Sequence, residues 1–408
     1  MKYDFEHVTK RYDMGVPKYE AIPQYDPAYK QMDIIPFSVA DMEFETAPEI
    51  REGLKRYLDR YSLGYVAAPE AYLNAVCSWM KRRHRWEIRP EWILGTHGVQ
   101  DAFYNAVKLY TAPGDGVLLM TPYYSPMYDA IAVNGREVVE NPLRYTDGRY
   151  EIDFEDLEEK AKQPHVRMML LCSPHNPSGR VFTREELTRI GQICLANHVL
   201  VCADEIHEDF VSPGHTFIPY ASICEELAQH ALICTSPSKT FSLPGLQTAN
   251  LIIPNEALRD IFARFQKTVS HYPKLPSLGY EACRLAYEES ELWLDQCRTV
   301  IERNRQMVVA FFAEYEPSIR VVPLEGTYLL WIDFRALGIP AKELADRLKR
   351  DAQLFFSDGD SFGPGGAGFE RWNLACPTRY VQEGLERLKA ALEKWRSEEN
   401  AVRSGPVS

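Results

Sequence analysis

Short apolar runs of β-forming residues recur through the middle of the chain, at Val117 to Met120, Val166 to Cys172, Val199 to Ala203 and Ala231 to Cys234. Each is followed by a polar or Gly/Pro-rich turn and then by a stretch of helical period. Continuous rather than alternating apolar runs are what strands covered on both faces require. The pattern therefore predicts an α/β fold with a mostly parallel sheet flanked by helices. One crossover helix is marked at its start: Thr183 and Glu186 have capping-box spacing, and Leu187, Ile190 and Cys194 then fall on one face.

From about Leu285 the pattern changes to long charged helices around 293–315, a strand from Gly326 to Phe334, and further helices, which predicts a smaller α+β domain. The expected division is an N-terminal arm (1–45) packing with the small domain, a large ligand-binding domain (46–284), a small C-terminal domain (285–396) and a disordered polar tail (397–408). The arm is rich in Tyr, Pro and Asp with little periodicity, which predicts extended chain lying on another surface.

Composition narrows the function. A chain of 408 residues with 45% hydrophobic content can bury the core of two domains sharing a cleft. Its net charge of −12, with no Lys/Arg-rich block, argues against nucleic acid as a partner. No apolar run reaches the roughly 18 residues needed to span a bilayer. The charged first residues lack the apolar core of a signal peptide, so a cytoplasmic protein with no membrane partner is expected. Nine cysteines, an odd number with no Cys-x-x-Cys pair, read as buried thiols in a reducing compartment, and no metal site is expected.

In a parallel sheet, ligands bind beyond the carboxyl ends of the strands, so the residues that follow the apolar runs are the candidates for chemistry. Gly95 to Gln100 is a glycine turn opening a helix, where free N–H groups suit a phosphate. Asn176 lies between two prolines, Asp204 ends an apolar run, and Ser236, Ser238 and Lys239 lie together after another. Taken singly, these have ordinary readings as a turn, an Asx-turn, a helix cap and a solvated lysine. Together they supply the parts that pyridoxal 5'-phosphate requires: a lysine imine, an anion for the pyridine nitrogen, a donor to the ring oxygen and a phosphate cup. Tyr124, in Thr121-Pro-Tyr-Tyr-Ser-Pro126, offers a ring platform.

With these residues in place, the sequence resembles fold type I pyridoxal-phosphate enzymes of the class I/II aminotransferase superfamily over about residues 1 to 395. The order Asn-Pro-x-Gly, Asp-Glu-x-x, Ser-x-x-Lys carries the match. The resemblance implies Lys239 as the Schiff-base and catalytic lysine, Asp204 as the pyridine-nitrogen partner, Asn176 as the ring-oxygen donor and Tyr124 as the stacking ring. Ser236, Gly98, Val99 and Gln100 are implied as the phosphate cup. Arg371 is implied as the grip on the substrate α-carboxylate with Asn176 beside it, and Tyr65 as a residue reaching the phosphate of a partner subunit in a homodimer with shared active sites. Ser38 to Phe44, Asp204-Glu-Ile-His207 and Ser238 to Gln247 narrow the resemblance to the cystathionine β-lyase group of the MalY/PatB type. His207 stands where many aminotransferases have Tyr, and Gln247 where they have a phosphate-binding Arg.

The implied function is a carbon–sulfur β-lyase acting on cystathionine- or cysteine-type amino acids. An aminotransferase is the alternative, and a non-catalytic cofactor-binding regulator is a third, disfavoured by the acidic charge. Gly363 to Gly368 does not suit a dinucleotide fingerprint, because it precedes an apolar segment instead of following a strand; it reads as a loop near Arg371.

Overall fold

A computed structural model describes residues 1–403, apart from residues 33, 35 and 271–274. The segment Ser270 to Ser277 thus lies partly outside the described residues. The first strands are β1 (Ile93–Thr96), β2 (Gly116–Thr121), β3 (Glu137–Pro142), β4 (Arg144–Thr146), β5 (Arg149–Glu151), β6 (Val166–Cys172), β7 (Leu200–Asp204), β8 (Ala231–Thr235) and β9 (Ala249–Ile252). Seven of them form one sheet in the order β1-β9-β8-β7-β6-β2-β3, and β4 and β5 pair as a hairpin. Strands β3, β2, β6, β7 and β8 are parallel, and β9 runs antiparallel to both β8 and β1. The four apolar runs of the sequence are β2, β6, β7 and β8.

Their side chains alternate between two cores, which is why the runs are almost wholly apolar; Arg167, near the start of β6, is exposed. Leu119, Leu170, Cys202 and Leu232 pack with Ala102, Phe103 and Ala106 of the helix Val99–Tyr110. Leu118, Met169, Val201 and Ile233 face the other core, where Leu187 and Ile190 of the capped helix Arg184–Ala196 lie. Thr183 and Glu186 form both halves of the capping box.

A second sheet is built from β10 (Arg320–Val321), β11 (Leu329–Asp333), β12 (Ser357–Asp358) and β13 (Phe369–Asn373), antiparallel in the order β10-β11-β13-β12. The arm docks here: the Phe37 amide donates to Phe355 O at 2.8 Å, the Asn373 amide to Phe37 O at 2.9 Å and the Glu43 amide to Ala375 O at 2.9 Å.

Three expectations need correction. The arm is not simply extended, since Pro17–Tyr25 is helical with Tyr19 and Ile22 buried; apolar and polar positions mix there because Lys18 is buried too. The last helix runs through Arg403, so residues 397–403 are helical instead of disordered, and the remainder of the tail lies outside the described residues. The 284/285 boundary falls inside the helix Ser277–Glu289, whose buried face includes residues on both sides of it. Among the described residues no helix is long and apolar enough to cross a membrane.

Candidate active site

The carboxyl ends of the parallel strands deliver their side chains to one cavity of about 250 Å³. Strand β7 ends on Asp204 and passes to His207; β6 leads through Cys172 to Asn176; β8 leads to Ser236 and the short helix Pro237–Thr240, which carries Lys239. Strand β1 leads to Gly98, which adopts φ +87° and ψ 164° at the start of the helix Val99–Tyr110. That backbone region is essentially closed to residues with a Cβ, and it aims the first helical N–H groups at the cavity. Gly98, Val99, Gln100, Tyr124, Asn176, Asp204, His207 and Lys239 all line it. The Gln100 side-chain amide donates to the Tyr124 hydroxyl at 2.7 Å, linking the residue expected as the ring platform to one expected in the phosphate cup.

The electrostatics are those of a site awaiting a charged ligand. Burial pushes the Asp204 carboxyl up to about 6, although the Ile206 amide donates to its Oδ1 at 3.1 Å and Lys239 favours its ionised form. A cation placed against it, such as a protonated pyridine nitrogen, would relieve that burden. Burial, with Arg371 adding repulsion, brings Lys239 down to about 8. The Lys239 Nζ donates to the Ala40 carbonyl at 2.8 Å. Burial holds His207 well below the usual imidazole range, so its ring is neutral; its Nδ1 has no hydrogen-bond partner among the described residues.

Arg371 lies on β13 and is 6% exposed. Its Nη1 donates to Asn176 Oδ1 at 2.9 Å and its Nη2 to Ser357 Oγ at 3.1 Å, while the buried Nε is unpartnered among the described residues. None of its partners is an acid, and burial lowers its pKa to about 10. A guanidinium buried without a counter-charge is a site for an anion. Because Asn176 Oδ1 is taken by Arg371, its carboxamide N–H₂ is the group left to serve a ligand oxygen.

Two residues expected at the site stand apart from the cavity within this chain. Ser236 accepts from the Ser238 amide at 3.0 Å and donates to Thr248 O at 2.6 Å, so it caps the lysine-bearing helix, and Ser238 lines the cavity in its place. Tyr65 is 90% exposed, next to exposed Leu63, and borders with His97 a separate surface hollow. Sequence reasoning missed several supports. Tyr328 donates to Ala40 O at 2.8 Å, Ser357 holds Arg371, and Thr240 donates to Asp209 Oδ2 at 2.6 Å while His84 Nε2 lies 3.0 Å from Asp209 Oδ1. The runs Ser38 to Phe44 and His207 to Asp209 were the available signals, because polar residues packed between apolar positions need partners.

The residues present fit pyridoxal 5'-phosphate. A buried carboxyl with raised pKa, a lysine amine, an aromatic platform and a glycine-opened helix start meet in one cavity, with a buried unpaired guanidinium beside Asn176. Fold and site together define a pyridoxal-phosphate protein of the fold type I class. The family model of class I and II aminotransferases matches residues 32–388, and the chain belongs to that family. It is 40% identical over 362 residues to cystathionine beta-lyase PatB of Bacillus subtilis, covering 88% of this chain and 93% of that protein. The structure of cystalysin from Treponema denticola, which contains a pyridoxal 5'-phosphate cofactor, superposes with a TM-score of 0.92 at 42% identity, covering 97% of this chain and all of that one. A pyridoxal-phosphate-bound C–S lyase from Staphylococcus hominis superposes with a TM-score of 0.87 at 29% identity, covering 96% of this chain and 98% of that one.

Proposed function

We propose that this protein is a pyridoxal-phosphate-dependent carbon–sulfur β-lyase that converts cystathionine- or cysteine-type amino acids to a thiol, pyruvate and ammonia. The observation that carries an amino-acid substrate is the buried, acid-free Arg371 guanidinium bonded to Asn176. It suits an α-carboxylate held bidentately. The choice of lyase rests on the likeness to PatB and to the two solved pyridoxal-phosphate proteins.

When bound, the cofactor supplies an electron sink for the negative charge that forms at the substrate α-carbon. The chain's own residues do the rest. Arg371 and Asn176 fix the carboxylate, and Asp204 keeps the ring nitrogen protonated. Tyr124 supports the ring, and the N–H groups after Gly98 receive the phosphate. Lys239 would hold the cofactor through its Nζ, and the same amine, once free, would take the substrate α-proton. Its lowered pKa of about 8 puts the neutral amine within reach near neutral pH. One water would be consumed and the substrate would leave as thiol, pyruvate and ammonia.

The same reading gives a cytoplasmic homodimer in which Tyr65 enters the partner's site. It also divides the chain into an arm, a large cofactor domain and a small domain that bears Arg371. Incubation with L-cystathionine in the absence of any 2-oxo acid tests the reaction. Continuing equimolar release of pyruvate and thiol, abolished in Lys239→Ala, is expected. Turnover only on addition of a 2-oxo acid would assign an aminotransferase instead.

A further inference from the structure

The acceptor of the Lys239 amine is a backbone carbonyl, and its placement is unusual. Val39, the residue before Ala40, has φ +52°. A β-branched side chain strongly disfavours that left-handed conformation, so the surroundings must impose it. The imposing contacts come from two directions. From β13, the Asn373 Nδ2 donates to both Val39 O and Asp41 O at 2.8 Å. From the arm helix Pro17–Tyr25, the Lys18 Nζ donates to Asp41 O at 3.0 Å. Of three successive carbonyls, those of Val39 and Asp41 are thus held by the clamp. The middle one, of Ala40, receives Lys239 and Tyr328.

Lys18 is itself held tightly. Its side chain is 0% exposed and lies 3.1 Å from Asp41 Oδ1 and 2.6 Å from Glu43 Oε1. Arg11 bonds the same two carboxylates, at 2.9 Å and 3.1 Å, and Tyr19 donates to Glu43 Oε2 at 2.5 Å. Two cations and two anions balance, which is how a fully buried lysine is tolerated. The cluster joins the arm helix Pro17–Tyr25 to the turn 39–41, and Asn373 joins the turn to the strand that bears Arg371.

We propose that Lys18 and Asn373 are positioning residues for Lys239: they clamp the turn Val39–Asp41 so that the Ala40 carbonyl receives the lysine amine whenever it is not bonded to the cofactor. This rests on the reading of Lys239 as the cofactor lysine. Lys18 and Asn373, which do not line the cavity, align the amine for proton transfer at the substrate α-carbon through the Ala40 carbonyl, whose residue does line it. Placement of this kind acts on the rate of the chemical step more than on binding.

Two variants attack the clamp from opposite sides: Lys18→Met combined with Glu43→Gln, which keeps the buried charges balanced, and Asn373→Ser, which leaves the arm charges untouched. In the loaded enzyme, exchange of the substrate α-proton with deuterated water is expected to slow about 10- to 100-fold, kcat to fall with it, and KM and cofactor affinity to stay within about threefold. In cofactor-free protein, acylation of Lys239, read by peptide mass spectrometry, is expected to rise about two- to tenfold as the amine loses its fixed acceptor. Exchange and acylation both within about twofold of wild type in a folded, loaded variant would overturn the proposal. Loss of the fold in both variants would overturn it as well, by making the two residues merely structural. Exchange does not depend on whether the thiolate then leaves, so the proposal survives if the enzyme proves an aminotransferase. Wild-type protein that takes up no cofactor would refute the reading of the site itself.

Discussion

At the residue scale, Asp204 and Arg371 are each expensive to fold and useful once the ligand arrives. In the cofactor-free chain the Asp204 carboxyl is raised from 3.8 to about 6 by burial. The folded state then holds a proton that the unfolded state has released, so stability falls as pH rises from about 4 to 6 and the full cost stands above pH 6. Asp204→Asn should therefore stabilise cofactor-free protein by about 2–3 kcal/mol at pH 7 and by little at pH 4, in urea unfolding at the two values. With cofactor bound the order should reverse, because the amide cannot balance a protonated ring nitrogen. Arg371→Lys keeps the charge and loses the planar fork, and kcat/KM should fall about 10- to 100-fold in steady-state assays. Tyr124, Asn176, Asp204 and Lys239, which line the cavity, were legible because together, and not singly, they supply the parts of one cofactor site. Ala40 was not, since a carbonyl that meets a lysine 199 positions away leaves no mark in residue identity. Lys18 was lost for the opposite reason: a lysine in a polar arm reads as solvated, and only its pairing with the buried Glu43 and the partly buried Asp41 reveals otherwise.

At the element scale, what positions the site is the set of transitions from strand to turn to helix. Gly98 carries the one at the proposed phosphate cup, and a Cβ there would meet no atom within 4 Å, so its requirement is conformational and not steric. Gly98→Ala should cost about 1–3 kcal/mol of stability and weaken cofactor affinity if the cup opens, both read by cofactor titration alongside thermal unfolding. The central strands were readable because burial on both faces leaves a nearly continuous apolar run, interrupted in β6 only at the exposed Arg167, and the helix after Thr183 because its cap uses two specific side chains. Strand direction was less so. β9 pairs antiparallel with two neighbours, yet Ala249–Ile252 is as buried as its parallel companions, and burial alone does not record direction. The arm helix escaped because Lys18 interrupts its apolar face, and it does so to reach Asp41 and Glu43.

At the scale of the whole molecule, Tyr65 poses the remaining question. A tyrosine 90% exposed, on a stretch where Leu58, Tyr61 and Leu63 are also exposed, leaves more apolar surface open than a solvated loop would favour. The proposed homodimer, in which this stretch crosses to the partner's cavity, would account for that surface, and it has a consequence that separates it from a tyrosine serving its own chain. When Lys239→Ala and Tyr65→Ala subunits are co-expressed, each mixed dimer collects both lesions in one site and leaves the other site intact. Random pairing makes half the dimers mixed, with one good site of two, so about a quarter of wild-type activity should appear from two subunits that are each nearly inactive alone. If Tyr65 acted within its own subunit, every site in the mixed dimer would carry one lesion and activity would stay at the level of the separate variants. Sedimentation of the same sample should show a species of twice the 46.9 kDa chain, and recovered activity should track its mixed fraction.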